Sequence, residues 1–223
     1  MKDEPHSPKS RVVLVEDHPM FRERLAQLID KDLEMSVAGE ADNIQDALKV
    51  IEETRPNVVI VDITLRGSSG LELIKELKTR AINIPTLVLS MHSEFLYAQR
   101  SLDAGARGYV SKDEDASQVI LAIRKVLAGS IYLSPQMKER MMQRFAQSNA
   151  PIETSAVSQL TDRELEIFKL FGSGLNTRLI AERLAVGENT VSTYRQRIKK
   201  KLAVKDFTEL YCQAARWMQE QEE

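Results

Sequence analysis

Two rhythms of apolar residues run through the first part of the chain. Short, nearly unbroken apolar runs stand at 12–15, 35–38, 58–61, 86–89 and 108–110, and they predict buried strands. Between them, the segments 21–29, 44–51, 71–77, 96–102 and 119–127 place apolar residues three and four apart, the spacing of a helix with one buried face. Strand and helix therefore alternate five times. That pattern predicts βαβ units, and hence an α/β fold with a doubly wound, five-stranded parallel sheet covered by helices on both faces. Pro56 and Pro85 stand just before the third and fourth strands, where a missing N–H does little harm.

After Gly129 the pattern changes. Ser134 followed by Pro135 predicts the N-cap and first residue of a helix near 134–146. The polar stretch 147–159, QSNAPIETSAVSQ, reads as a flexible linker. No strand pattern returns beyond it, and helices are predicted over 162–171, 177–184, 188–202 and 207–219. The expected organisation is a disordered tail over 1–9, an α/β domain over 10–128, a linker over 129–158 that carries one helix, and an all-α four-helix domain over 159–223.

Composition narrows the function classes. A chain of 223 residues with 43% apolar and 29% charged residues is an ordinary globular one, which excludes collagen, extended low-complexity disorder and disulfide-stapled scaffolds. Cys212 is the one cysteine, so neither an internal disulfide nor a cysteine zinc knuckle can form. The longest uncharged stretch, 81–93, is 13 residues, short of the ~20 that span a bilayer, and no membrane association is expected. The opening MKDEPHSPKS lacks the apolar core of a secretory signal, which implies a cytoplasmic protein.

A net charge of −2 conceals an asymmetry. Residues 155–223 hold 11 basic and 10 acidic side chains, a net +1, against −3 for the rest. Within them, 189–205 carries Arg195, Arg197, Lys199, Lys200, Lys201 and Lys205 with no acid. Such a run is either a nucleic-acid footprint or a solvated basic helix face.

In a doubly wound sheet, ligands sit beyond the carboxyl ends of the strands. Glu16 and Asp17 follow the first predicted strand and Asp62 follows the third. Three carboxylates at one strand edge repel one another, and a hard divalent cation, Mg²⁺ best, holds them together. Ser90 ends the fourth strand and Lys112 follows the fifth, adding a hydroxyl and an ammonium to the same edge. A carboxylate nucleophile, a metal, a hydroxyl and a cation are what an in-line phosphoryl transfer needs. His18 reads as the start of the first helix with at most an orienting contact, and Met91 and His92 as loop residues that tune access.

VEDH with Glu16 and Asp17, VDITL with Asp62, TLVLS ending in Ser90 and GARGYVSK ending in Lys112 resemble the receiver domain of bacterial two-component response regulators, over about residues 10–128. The resemblance implies a CheY-like, flavodoxin-like fold. It implies that Asp62 accepts a phosphoryl group from a cognate histidine kinase. Glu16 and Asp17 would bind Mg²⁺ together with Asp62 and the backbone carbonyl of Thr64. Lys112 would pair with the acyl phosphate, and Ser90 and Tyr109 would form the switch. Asp113 stands where many members carry a proline.

In the last unit, Ile167, Leu170, Ile180, Leu184, Val191, Ile198 and Leu202 mark the inner faces of three short helices, with turns at Gly174 and Gly187. A short helix, a turn and a helix with a basic second half form a helix-turn-helix, whose second helix enters the major groove. The segment LTDRELEIFKLFGSGLNTRLIAERLAVGENTVSTYRQRIKKKL resembles the LuxR-type helix-turn-helix of the NarL/FixJ response-regulator subfamily. By position, Ser192, Thr193 and Gln196 correspond to base-facing sites, and Thr190, Tyr194, Arg195 and Lys199 to phosphate-facing ones. The resemblance also implies a dimer surface on the last helix, with Leu210, Tyr211 and Ala214 as contacts, although plain core packing gives that helix the same pattern.

Three functions remain open on the sequence. The first is a transcription factor that binds double-stranded promoter DNA as a homodimer once phosphorylated, with RNA polymerase a candidate partner. It would be no enzyme apart from slow self-phosphorylation from small phosphodonors and self-dephosphorylation. The second is a metal-dependent phosphotransferase or phosphatase working through an aspartyl phosphate. The third is a DNA-binding protein whose α/β domain serves only as a dimer platform.

Overall fold

The computed structural model describes residues 8–65, 68–91, 95–147 and 156–222. They divide into two compact units between Gln143 and Arg144. The expected disordered tail lies, for residues 1–7, outside the described residues, as do His92 and residues 148–155 of the expected linker.

The first unit alternates strand and helix. It runs β1 (Ser10–Val15), α1 (Pro19–Asp30), β2 (Met35–Ala41), α2 (Ile44–Thr54), β3 (Val58–Asp62), a short β4 (Thr64–Leu65) and β5 (Ser68–Ser69), and α3 (Gly70–Thr79). Then follow β6 (Thr86–Ser90), α4 (Phe95–Ala104), β7 (Gly108–Ser111) and α5 (Ala116–Leu127). Five parallel strands form the sheet in the order β2-β1-β3-β6-β7. The order reverses direction at β1 and β3, which puts the open crevice of the doubly wound fold at their carboxyl ends. The antiparallel β4–β5 pair was not expected, because strands of two residues leave no periodic signal. β2 also runs three residues further than its apolar run, through Gly39 and Glu40 to Ala41, after a register irregularity between Val12 and Val13 of β1.

The apolar alternation sorts the core into two layers. Val12 and Leu14 point to the layer closed by Leu25 and Ile29 of α1 and by Val119, Ile123 and Val126 of α5. Val13 and Val15 point to the layer closed by Ala47 and Ile51 of α2 and by Leu73 and Leu77 of α3. Fully burying one such side chain contributes ~1.5–3 kcal/mol, so the two layers fix the register of β1 and with it the position of Glu16 and Asp17. Helix starts are capped locally. Asn43 accepts the Asp46 amide at 2.9 Å, and Ser69 accepts the Leu71 amide at 3.3 Å. α6 (Pro135–Gln147) begins as expected at Ser134, whose Oγ accepts the Met137 amide at 3.2 Å.

The second unit is helical. A 3-10 turn (Ala156–Gln159) occupies the end of the stretch read as flexible linker and buries Val157, so that stretch is ordered where the chain enters the unit. α7 (Asp162–Gly172), α8 (Thr177–Arg183), α9 (Glu188–Lys201) and α10 (Phe207–Glu222) follow. α7 opens with a reciprocal cap, Thr161 Oγ1 accepting the Glu164 amide and the Glu164 carboxylate accepting the Thr161 amide at 2.7 Å. α10 packs on α7 so closely that a methyl group on Gly172 would stand 2.8 Å from the Ala214 carbonyl oxygen.

Candidate functional site

The carboxyl ends of β1, β3, β6 and β7 bring together the residues expected there. Glu16 and Asp62 are buried, and the Asp17 side chain is nine-tenths buried. Lys112 Nζ lies 2.6 Å from Glu16 Oε2 and 2.7 Å from Asp62 Oδ2, and 4.5 Å above the Phe21 ring. Ser90, the last residue of β6, and Tyr109, the second residue of β7, are buried. The Lys112 amide donates to the Ser90 carbonyl at 2.8 Å, which fixes the lysine at the strand edge.

One ammonium faces three carboxylates, and the excess negative charge shows in Asp62. Burial first, then the Glu16 carboxylate, push its pKa up to about 7 against the lowering pull of Lys112 and of a hydrogen bond from the Thr64 backbone. Asp17 Oδ1 is buried and accepts no hydrogen bond. A buried carboxylate oxygen with a free lone pair, in an acidic cluster with surplus charge, fits a hard divalent cation. One ligand atom from each of Glu16, Asp17, His18 and Asp62 lies within 4.8 Å of the others.

Two supporting residues were not found by sequence reasoning. Gly70 lies against the backbone of Asp62: a methyl group there would stand 1.9 Å from the Asp62 carbonyl oxygen, and the Gly70 amide donates to the Ile63 carbonyl at 2.8 Å. Arg22 holds the other side, donating from Nη1 to the Glu16 carbonyl at 2.5 Å and from Nε to Glu40 at 3.0 Å. The only signal for Gly70 was a glycine at the first turn of a predicted helix, a position that has many explanations.

In the second unit, α8, a turn at 184–187 and α9 form the helix-turn-helix, with Ile180, Leu184, Val191 and Ile198 buried between helices. Thr190, Thr193 and Gln196 are exposed, while Ser192, Tyr194 and Lys199 are half-buried. Thr193 Oγ1 donates back to the Asn189 carbonyl at 2.9 Å.

Arg195 departs from expectation. Its guanidinium lies 4.0 Å from the Phe207 ring centre and donates to the Tyr211 hydroxyl at 3.2 Å, so it is held by α10 instead of standing free for a phosphate. Lys201 is likewise drawn inward, to Glu164 at 2.5 Å. Two of the three dimer contacts expected on the last helix are corrected. Leu210 and Ala214 have no exposed surface and face the core of their own unit, where no second chain can reach them, while Tyr211 is half-buried with its ring tilted against Phe171 at 5.0 Å.

Comparison with known proteins identifies both units. Residues 12–124 match the response regulator receiver domain, and residues 158–214 match the bacterial regulatory proteins of the luxR family. The chain is a response regulator of the LuxR-type class. Its relatives include the transcriptional activator protein ExaE of Pseudomonas putida, 36% identical over 89% of this chain and 92% of that one. The response regulator GacA of Pseudomonas aeruginosa is 31% identical over 92% of this chain and 95% of its own. Among solved structures, the response regulator ChrA of a heme-sensing two-component system aligns with a TM-score of 0.52 at 29% identity, over 96% of this chain and 99% of that one. The receiver and the DNA-binding unit of this response regulator are thus the units predicted from strand–helix alternation and from the basic helix. Among the described residues no helix is long and apolar enough to cross a membrane.

Proposed function

We propose that this response regulator controls transcription by switching the DNA binding of its helical unit through an aspartyl phosphate formed at Asp62. The observation that carries the reading is the buried edge at which Glu16, Asp17 and Asp62 meet, with Lys112 paired to Glu16 and Asp62. An Asp62 carboxylate oxygen attacks the phosphorus of a phosphohistidine on the cognate kinase. The new O–P bond forms as the P–N bond breaks, and the departing imidazole nitrogen takes the electron pair and then a proton from water. Lys112, already paired with Asp62, stays at hand to pair with the phosphoryl oxygens. Mg²⁺ held by Glu16, Asp17, Asp62 and the Thr64 carbonyl would neutralise charge on those oxygens.

The phosphoryl group adds charge beside the buried Ser90 and Tyr109, which pass the change to the face around α4 and promote homodimerisation and DNA binding. On the DNA, Ser192, Thr193 and Gln196 face base edges, while Thr190, Tyr194, Arg197, Lys199 and Lys200 lie toward phosphates, and RNA polymerase is a candidate partner at the promoter. The phosphotransferase alternative gains no support, since the acidic edge is joined to a helix-turn-helix. Intact-mass spectrometry of protein treated with acetyl phosphate is the test. Wild type gains one phosphoryl group only with Mg²⁺ present and Asp62→Asn gains none; equal labelling of the two proteins would remove Asp62 as the acceptor.

A further inference from the structure

His18 has an arrangement that an N-terminal helix residue does not need. It is the N-cap of α1 yet makes no side-chain capping bond. Pro19 follows it and confines its backbone to the extended region, where φ is −88° and ψ is 107°. Its amide donates to Glu16 Oε1 at 3.1 Å, which ties the metal-facing carboxylate to the same turn. Its ring turns inward, with Nδ1 at 2.9 Å from Asp17 Oδ1 and 3.4 Å from Glu16 Oε1, although the side chain is 72% exposed.

The contact with Asp17 is not a hydrogen bond: Asp17 Oδ1 is buried and accepts none, from His18 or from any other described group. A ring nitrogen and a carboxylate oxygen 2.9 Å apart without hydrogen-bond geometry form an ion pair only when the imidazole is protonated, and with the imidazole neutral they are placed like two ligands on one cation. Neighbouring vertices of an octahedron with bonds of about 2.1 Å stand about 3.0 Å apart. The distance from Nδ1 to Glu16 Oε1, 3.4 Å, is close to a second such edge.

We propose that His18 Nδ1 is a further ligand of the carboxylate site, which thereby takes divalent transition cations such as Mn²⁺ and Co²⁺ more tightly than Mg²⁺. The inference rests on the metal site of the preceding reading and adds a nitrogen to it. Imidazole raises affinity along the first transition series and does little for Mg²⁺, which prefers oxygen and keeps its waters. The exposed side of the imidazole leaves the cation open to exchange from solvent.

The test uses the full, untagged chain. Pulsed electron paramagnetic resonance of bound Mn²⁺ reads directly whether a nitrogen is coordinated, and calorimetry gives the affinities for Mn²⁺ and Mg²⁺. Wild type is expected to show coupling to ¹⁴N, His18→Ala to lose it, and His92→Ala to keep it. His18→Ala is further expected to weaken Mn²⁺ roughly tenfold or more while changing Mg²⁺ less than about twofold. Saturable Mn²⁺ binding with no nitrogen coupling in wild type, or coupling that survives in His18→Ala, overturns the role of His18 and leaves the carboxylate site standing. Absence of saturable binding of either cation overturns the metal site itself, and the inference with it.

Discussion

At the scale of the residue, Asp62 is governed by crowding. Its carboxyl group titrates near 7 because burial and Glu16 disfavour the charge, so the folded state holds a proton that the unfolded chain releases near pH 4. Between those values the folded state binds more protons, and the contribution of Asp62 to stability falls as pH rises and is gone above about 7. A cation bound at the site competes with that proton. Thermal unfolding should therefore show a larger stabilisation by Mg²⁺ at pH 8 than at pH 5.5, and an equal shift at both would contradict the coupling. Glu164 has the opposite sign. Burial raises its pKa, but the Lys201 ammonium and the Thr161 amide outweigh burial and hold it below the usual carboxylate range. Its contribution is present above the unfolded value and is lost as pH falls through the lower folded one. Because Lys201 is about a third exposed, Lys201→Met should cost only about 1–2 kcal/mol. Trp217, the one tryptophan, is buried near Phe168 and reports this loss by fluorescence in urea.

At the scale of the element, much of the structure was legible in the chain. Alternating valines and leucines of β1 were sorted to two layers, and the acids at its end were fixed by the same register. What stayed hidden depends on contacts distant in sequence. The basic run over 189–205 reads as six free cations, but Phe207 and Tyr211 hold Arg195 and Glu164 holds Lys201, and only α10 and α7 in place reveal that. An apolar stripe on α10 says that Leu210 and Ala214 are buried but not against what. Gly70 is similar: its need for a missing side chain comes from the Asp62 carbonyl above it. Gly70→Ala must displace that backbone, so it should unfold the chain at lower temperature and slow phosphorylation, and unchanged labelling kinetics would contradict its role. On α9 the division of labour is measurable. Gln196→Ala should cost about 1–3 kcal/mol at a preferred site and relax base preference there. Lys199→Ala should weaken all sequences alike and reduce the salt slope by about one unit, whereas Lys201→Ala should leave the slope unchanged. Anisotropy titrations over a range of salt, on selected and scrambled DNA, separate these outcomes.

At the scale of the whole molecule, one chain carries a receiver and a LuxR-type DNA-binding unit, and α9 of the second has fewer free cations than its sequence suggests. Phosphorylation has to change the DNA-binding equilibrium by a coupling free energy, which for such switches corresponds to a change in affinity of about 5–150-fold. The most direct measurement is the DNA affinity of the full chain with and without beryllofluoride and Mg²⁺, for wild type and Asp62→Asn at one salt concentration. The account predicts that wild type tightens by about tenfold or more when beryllofluoride is added and that Asp62→Asn does not respond. Equal wild-type affinity in both conditions, or the same tightening in Asp62→Asn, would contradict control of the DNA-binding unit through Asp62.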